Sequence, residues 1–224
     1  MTARVIAVTA LVCGASFAAS PAPAQSVSQP GRFEIAIGSR WTGGQTFGGG
    51  DANETTSSGT AFRIFTASTT LAGAPSIDTR VGMRITRRLE LQASGSYGSP
   101  QLRVNVSNDV ENAVVVTPSE RVQQFTVRGG VLWYLSQLTR PRFAPFVAAE
   151  AGYLREVHEA HTLIEGGRLV EIGGGLKYLV GSFGRFKAIG ARVDARAVLR
   201  SKGVAFDDSL HTAPSVDVSV YLRF

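Results

Sequence analysis

From Phe33 onward apolar and polar residues exchange places at every second position, in eight stretches. These run Phe33 to Trp41, Ile77 to Thr86, Arg88 to Ser107, Arg121 to Ser136, Phe143 to His158, Arg168 to Val180, Phe186 to Arg200 and Pro214 to Phe224. A period of two belongs to β-strands with unlike faces, and after residue 30 no stretch long enough for a helix keeps a helical period. Each stretch supplies the roughly 9–11 residues that a tilted strand needs to cross a bilayer.

The joints between stretches alternate in length. Only Arg87 separates the second stretch from the third, QLTRPR the fourth from the fifth, and GSFGR the sixth from the seventh. The others are long: TGGQTFGGGDANETTSSG and the residues on to Ser76, then NDVENAVVVTPSE, EAHTLIEGG and SKGVAFDDSLHT. A barrel with tight turns at one rim and long loops at the other has this rhythm. The pattern predicts an all-β fold, an eight-stranded antiparallel transmembrane up-and-down β-barrel. The stretch Ala61 to Leu71 resembles a further strand, but counting it would break the alternation of joints. It is assigned to the first external loop or to an extension above the membrane.

Polarity separates the faces. One phase carries Glu34, Arg40, Arg80, Arg84, Glu90, Gln92, Arg128, Glu150, Glu171, Lys177, Arg192, Asp194, Arg196, Asp217 and Arg223, acids and bases nearly balanced. The other carries Ile35, Ile37, Val81, Met83, Ile85, Leu89, Leu91, Val127, Val131, Val147, Val170, Ile172, Leu176, Ile189, Val193, Val218 and Val220, without a charge. An Arg or Lys at the bilayer midplane costs about 2–4 kcal/mol, so the uncharged phase is the one expected to face lipid. Trp133, Phe143, Tyr178, Phe186 and Phe224 at one end, and Trp41, Tyr97 and Tyr153 toward the other, have the distribution of two interfacial girdles.

The N-terminus adds a compartment. Residues 1–24 have the layout of a cleaved signal peptide: one charge, Arg4, an apolar run Val5 to Ala19 too short to span a bilayer, and Ala22-Pro23-Ala24 as the cleavage site. Residues 25–224 are then a single barrel domain. Cys13 lies in the signal, so the mature chain has no cysteine and needs no disulfide or thiol chemistry. Loss of Arg4 lowers the bases from 23 to 22 against 17 acids, and the formal charge from +6 to +5. The bases are dispersed singly rather than clustered among stacking aromatics, which argues against nucleic acid. All but Lys177, Lys187 and Lys202 of the mature chain's bases are arginine, the side chain suited to pairing with carboxylates in a confined space.

The signal, the eight alternating stretches, strings such as GGGLKYLVG and ARVDARAVL, and the terminal VSVYLRF resemble the small outer-membrane β-barrel proteins of Gram-negative bacteria, the OmpA/OmpX-like group. The resemblance implies a place in the outer membrane with both termini periplasmic. It also implies that the last strand, ending on Phe224, is read by the outer-membrane assembly machinery. No segment after the barrel corresponds to the peptidoglycan-binding domain of OmpA-type proteins.

Eight strands enclose a lumen only just wide enough for side chains, so ion pairs are expected to fill it, with Arg192, Asp194 and Arg196 pairing to neighbours such as Glu171 or Asp217. Breaking a desolvated pair would cost roughly 3–5 kcal/mol. Ser209, His211 and Asp207/Asp208 form the only local Ser-His-acid candidate, too common a cluster in polar loops to carry catalysis. His158 and His161 with Glu156 or Glu159 are too few fixed ligands for a metal site. The GGGDANET stretch lacks the helix and GK[ST] of a phosphate loop and is read as a flexible extracellular loop. Neither cofactor nor metal is expected. The reading is a non-enzymatic barrel with a structural, adhesive or envelope-maintenance role, the alternative being a narrow porin-like channel. Lipid and lipopolysaccharide are the expected partners, with Arg103, Arg121, Arg155, Arg168 and Arg200 near the external rim able to meet lipopolysaccharide phosphates.

Overall fold

The computed structural model describes residues 32–55, 57–107, 119–158, 164–184, 186–202 and 210–224. Eleven strands follow in order: β1 (Phe33–Thr42), β2 (Gln45–Thr55), β3 (Ala61–Leu71), β4 (Ala74–Arg84), β5 (Leu89–Gly98), β6 (Gln101–Ser107), β7 (Ser119–Tyr134), β8 (Phe143–His158), β9 (Ile164–Phe183), β10 (Phe186–Lys202) and β11 (His211–Arg223). Eight of them, β1, β4, β5, β7, β8, β9, β10 and β11, close an antiparallel barrel, because β7 pairs with β8 and β1 with β11. Closure leaves the barrel wall without a free edge, which contact with lipid requires.

The remaining strands build a second sheet at one end. β2 and β3 form a hairpin, β3 pairs with β6, and β6 pairs with the start of β7. Ala61–Leu71 is thus a strand of the extension and not of the wall. The stretch read as one strand from Arg88 to Ser107 breaks at Ser99-Pro100 into β5 and β6. The GGGDANET stretch, read as a flexible loop, lies in the paired strand β2. Backbones crowd at the corner between the sheets: a Cβ on Gly73 would lie 3.1 Å from the Thr42 carbonyl oxygen, the Gly44 nitrogen and the Trp41 ring.

The joints at 85–88 and 135–142 and the turn at Gly184 lie at the end opposite the extension, beside Arg32 and Phe224. Phe224 closes the wall there. Its amide donates to the Phe33 carbonyl at 3.0 Å, the Phe33 amide donates back at 3.2 Å, and the two rings stack at 6.4 Å.

The phases fall as their chemistry requires. Val127, Ile37 and Ile172 stand more than half exposed on the outside, whereas Arg192, Asp194 and Asp78 are 1 % exposed inside. Trp41, Tyr97, Phe125 and Tyr153 ring the outer wall toward the extension, and Phe33, Trp133, Phe143 and Phe224 ring it toward the short turns, all exposed. Phe33 and Phe125 add to the girdles read from the sequence.

Candidate functional site: the lumen and the outer rim

Inward-facing side chains fill the barrel in layers. Nearest the short turns, the Lys177 ammonium on β9 donates to Glu34 at 2.6 Å and to Glu90 at 2.9 Å, Arg223 grips Glu34 from β11, and the Tyr134 hydroxyl donates to Glu90. The Lys177 ammonium also lies over the rings of Tyr134 and Tyr221, a place where a cation is held by ring faces as well as by carboxylates.

The central layer is a lattice of arginines and acids. Arg80 meets Asp78 at 2.7 Å, Asp194 at 2.7 Å and Asp217 at 2.8 Å. The first and third are close charge contacts rather than aligned hydrogen bonds. Arg192 grips Asp194 at 2.8 Å and donates to Gln92 at 2.7 Å, while its guanidinium lies over the Phe146 ring. Arg196 bridges Asp194 at 2.9 Å, Glu150 at 2.9 Å and Glu171 at 3.3 Å. Arg128 joins Asp78 to Glu171, and Arg40 reaches Glu171 at 2.7 Å and the Ser215 hydroxyl at 3.0 Å. Toward the extension, Arg200 holds Glu156 at 2.8 Å. These are eight acids and eight bases, all buried, so the lattice balances in formal charge, and the partly exposed Arg84 adds a further base over the Tyr134 ring near the short turns. Arginine serves here because its planar fork meets several carboxylates at once.

Above the lattice lies a cavity of about 50 Å³, lined by Arg40, Gln45, Arg128, Leu154, Glu171 and Arg200 among others. At roughly 10–15 Å³ per water it admits only a handful of waters. Phe47, Leu71, Leu102 and Val122 of the extension form an apolar lid, with the Arg200 guanidinium 4.8 Å from the Phe47 ring centre and His211 edge-on to the same ring.

At the outer end of β8, the His158 ring lies 3.0 Å from Glu120 of β7 and 3.8 Å from Glu165 of β9. Burial opposes a charge on this ring, but the hydrogen bond and charge of Glu120, then Glu165, outweigh it and raise the pKa of His158 above its ordinary value. Burial outweighs the attraction of His158 at Glu165 and raises that carboxyl also.

The sequence-derived charged phase is buried as expected, Arg84 being partly exposed. Arg196 pairs with Glu171 as anticipated, whereas Asp194 and Asp217 stand directly opposite each other on β10 and β11 with Arg80 bridging the two carboxylates. Arg200 is a correction. Read as an outer-rim base, it is buried in the lumen against Glu156, and its phase, shared with Arg192, Asp194 and Arg196, was the signal. Asp78 was also missed, although it shares the phase of Arg80, and Glu156, weighed only as a metal ligand, is a lumen acid held by Arg200. Arg103, Arg121, Arg155 and Arg168 are exposed on the outer surface. His161, Glu159, Asp207, Asp208 and Ser209 lie outside the described residues, and among the described residues no group of His, Cys, Asp and Glu could hold a metal.

No family model matches the chain, and no curated protein sequence does. Solved structures do. Neisserial surface protein A superposes with a TM-score of 0.51 at 12 % identity, covering 86 % of this chain and 97 % of that one. The outer membrane protein OprG from Pseudomonas aeruginosa gives 0.51 at 10 % identity, over 87 % of this chain and 96 % of its own. The fold is that of the small outer-membrane barrels. At such identities the likeness concerns the fold alone.

Proposed function

We propose that the protein is an integral, non-enzymatic barrel of the bacterial outer membrane, whose closed lumen stiffens the wall and whose second sheet stands outside the cell in a structural, adhesive or envelope-maintenance role. The chain would reach the envelope through the signal in residues 1–24, with both termini on the periplasmic side. Phe224 would be the residue presented to the assembly machinery, and lipid with lipopolysaccharide would surround the wall. The observation that carries this reading is the lattice around Arg80, Asp194, Arg196 and Glu171, which occupies the middle of the lumen with paired, buried charge. Ion passage would have to break several of these contacts at once, each strengthened by its low-dielectric setting.

Single-channel recording in planar bilayers tests it. No stable open level is expected; a reproducible ion-selective conductance would instead establish the narrow channel. A lipid-hydrolase assay of the parent beside His211→Ala and Ser209→Ala tests the non-enzymatic part, and turnover lost in either variant would overturn it.

A further inference from the structure

The cavity above the central lattice is bordered by three bases, Arg40, Arg128 and Arg200, and by one acid, Glu171. That acid is already engaged. Its Oε1 accepts from Arg40 at 2.7 Å and from Arg128 at 2.9 Å, and its Oε2 from Arg196 at 3.3 Å. Glu156, which answers Arg200, accepts from that arginine at 2.8 Å and from the Gln124 amide at 2.9 Å. Hydroxyls on the cavity wall are engaged too, Ser76 donating to the Arg40 carbonyl at 3.3 Å and Ser96 bonding Thr126.

What the wall leaves over is of one kind. Arg40 Nη1, Gln45 Nε2 and Arg200 Nε are buried N–H donors without a partner, on side chains that are themselves 3 %, 6 % and 4 % exposed. Arg128 Nε adds a fourth, held only by a charge contact with Glu150 at 4.0 Å. Among the described residues, no side chain lining the cavity leaves a buried acceptor without a partner. An unsatisfied buried donor costs the desolvation of its N–H. A water answers a donor by accepting, but it brings hydrogens that need acceptors of their own, whereas an anion only accepts. Leu154, Leu169 and Val198 supply an apolar remainder, and Phe47 and Leu71 belong to the lid, so a charge-assisted contact inside is strengthened by its low-dielectric setting.

We propose that this cavity is an anion site, holding one small monovalent ion of chloride or formate size among Arg40 on β1, Gln45 on β2 and Arg200 on β10. Volume sets the class: at roughly 10–15 Å³ per water, a space of about 50 Å³ admits a halide or a formate beside a water, and no sugar acid or lipid head group. The balanced lattice beneath sets the charge, since a second negative charge would face Glu171 and Glu156 with no further base to answer it. The ion ties the extension to the wall, because Gln45 belongs to β2 and the two arginines belong to the barrel. The site stands independently of the membrane role proposed above.

Thermal unfolding of the full mature chain, folded in zwitterionic detergent, tests it at constant ionic strength, with sodium chloride or sodium formate replacing sodium gluconate. The transition should rise with the logarithm of chloride or formate concentration as for a single site, whereas gluconate, too large to enter, gives no rise. Gln45→Leu, whose folding heat-modifiable mobility verifies, removes one hydrogen bond and should need roughly five- to tenfold more chloride for the same rise. Arg40→Lys, which keeps the charge but not Nη1, should also need more, and Arg88→Gln in a turn at the opposite end should respond as the parent does. A transition equal in chloride and gluconate, or a Gln45→Leu variant with the parent's chloride response, would mean that the cavity holds only water and would overturn the proposal.

Discussion

Arg80 and Asp194 meet across the lumen at 2.7 Å, from strands β4 and β10 that β1 and β11 separate in the wall. The same guanidinium also reaches Asp78 on its own strand and Asp217 on β11, so one side chain ties three carboxylates from three strands. Replacing it with leucine leaves these acids facing one another in a buried site. Arg80→Leu should lower stability by about 3–5 kcal/mol, the cost of stranding buried charge. Denaturant unfolding in micelles measures this, and a loss indistinguishable from zero would mean that lumen water screens the cluster.

Gly190 faces inward opposite Tyr221. A Cβ built on it would press on the Tyr178 carbonyl oxygen and lie 2.5 Å from the Tyr221 ring carbon Cζ, so the neighbouring backbone and the ring together occupy the place of a side chain. Gly190→Leu would evict a ring packed beside Ala36 and Ala188, at a cost of roughly 1–3 kcal/mol for overpacking. Gly129 is exposed, and a Cβ there meets nothing closer than 4.0 Å. Gly129→Ala should stay within about 0.5 kcal/mol of the parent in the same unfolding series. Similar losses for both would show that crowding on the inner face is not what excludes a side chain.

Deleting Phe224 removes two backbone hydrogen bonds to Phe33 and the stack of the two rings, at the very rim of the barrel. If the ending is also read during assembly, the amount of folded protein in the outer membrane should fall several-fold. The thermal transition of the fraction that does fold should shift only slightly. Matched losses in yield and transition would leave Phe224 a packing role alone.

His158 gives the extension a dependence on pH. Its folded pKa is raised, so its pairing with Glu120 and Glu165 contributes fully below the ordinary histidine value near 6.5 and is lost as pH rises through the higher folded value. Hydrogen exchange at the outer ends of β7 and β9 should therefore be slower, after correction for intrinsic rates, at pH 6 than at pH 8.5. His158→Gln should remove the difference, and a parent with no such difference would contradict the assignment.

The strand segments, the closed antiparallel wall and the identity of the lipid face were legible in the sequence because a two-residue period is local. An uncharged phase beside a charged one leaves a bilayer a single choice. The extension was less legible: Gln45–Thr55 carries Gly48-Gly49-Gly50 with no alternation, and it becomes a strand because β3 supplies its hydrogen bonds. Arg200 and Arg168 show the limit most plainly. Both are arginines near the outer ends of strands, yet one is buried against Glu156 and the other stands outside beside Arg155.

By itself, then, the sequence determined which residues share a face and that one face is compatible with lipid. Only the tertiary structure decided which acid meets which arginine, since Arg40 and Glu171 are 131 positions apart, as are the ends of no local motif. Periodicity is a property of one strand, whereas an ion pair across a lumen depends on the curvature and register of all eight.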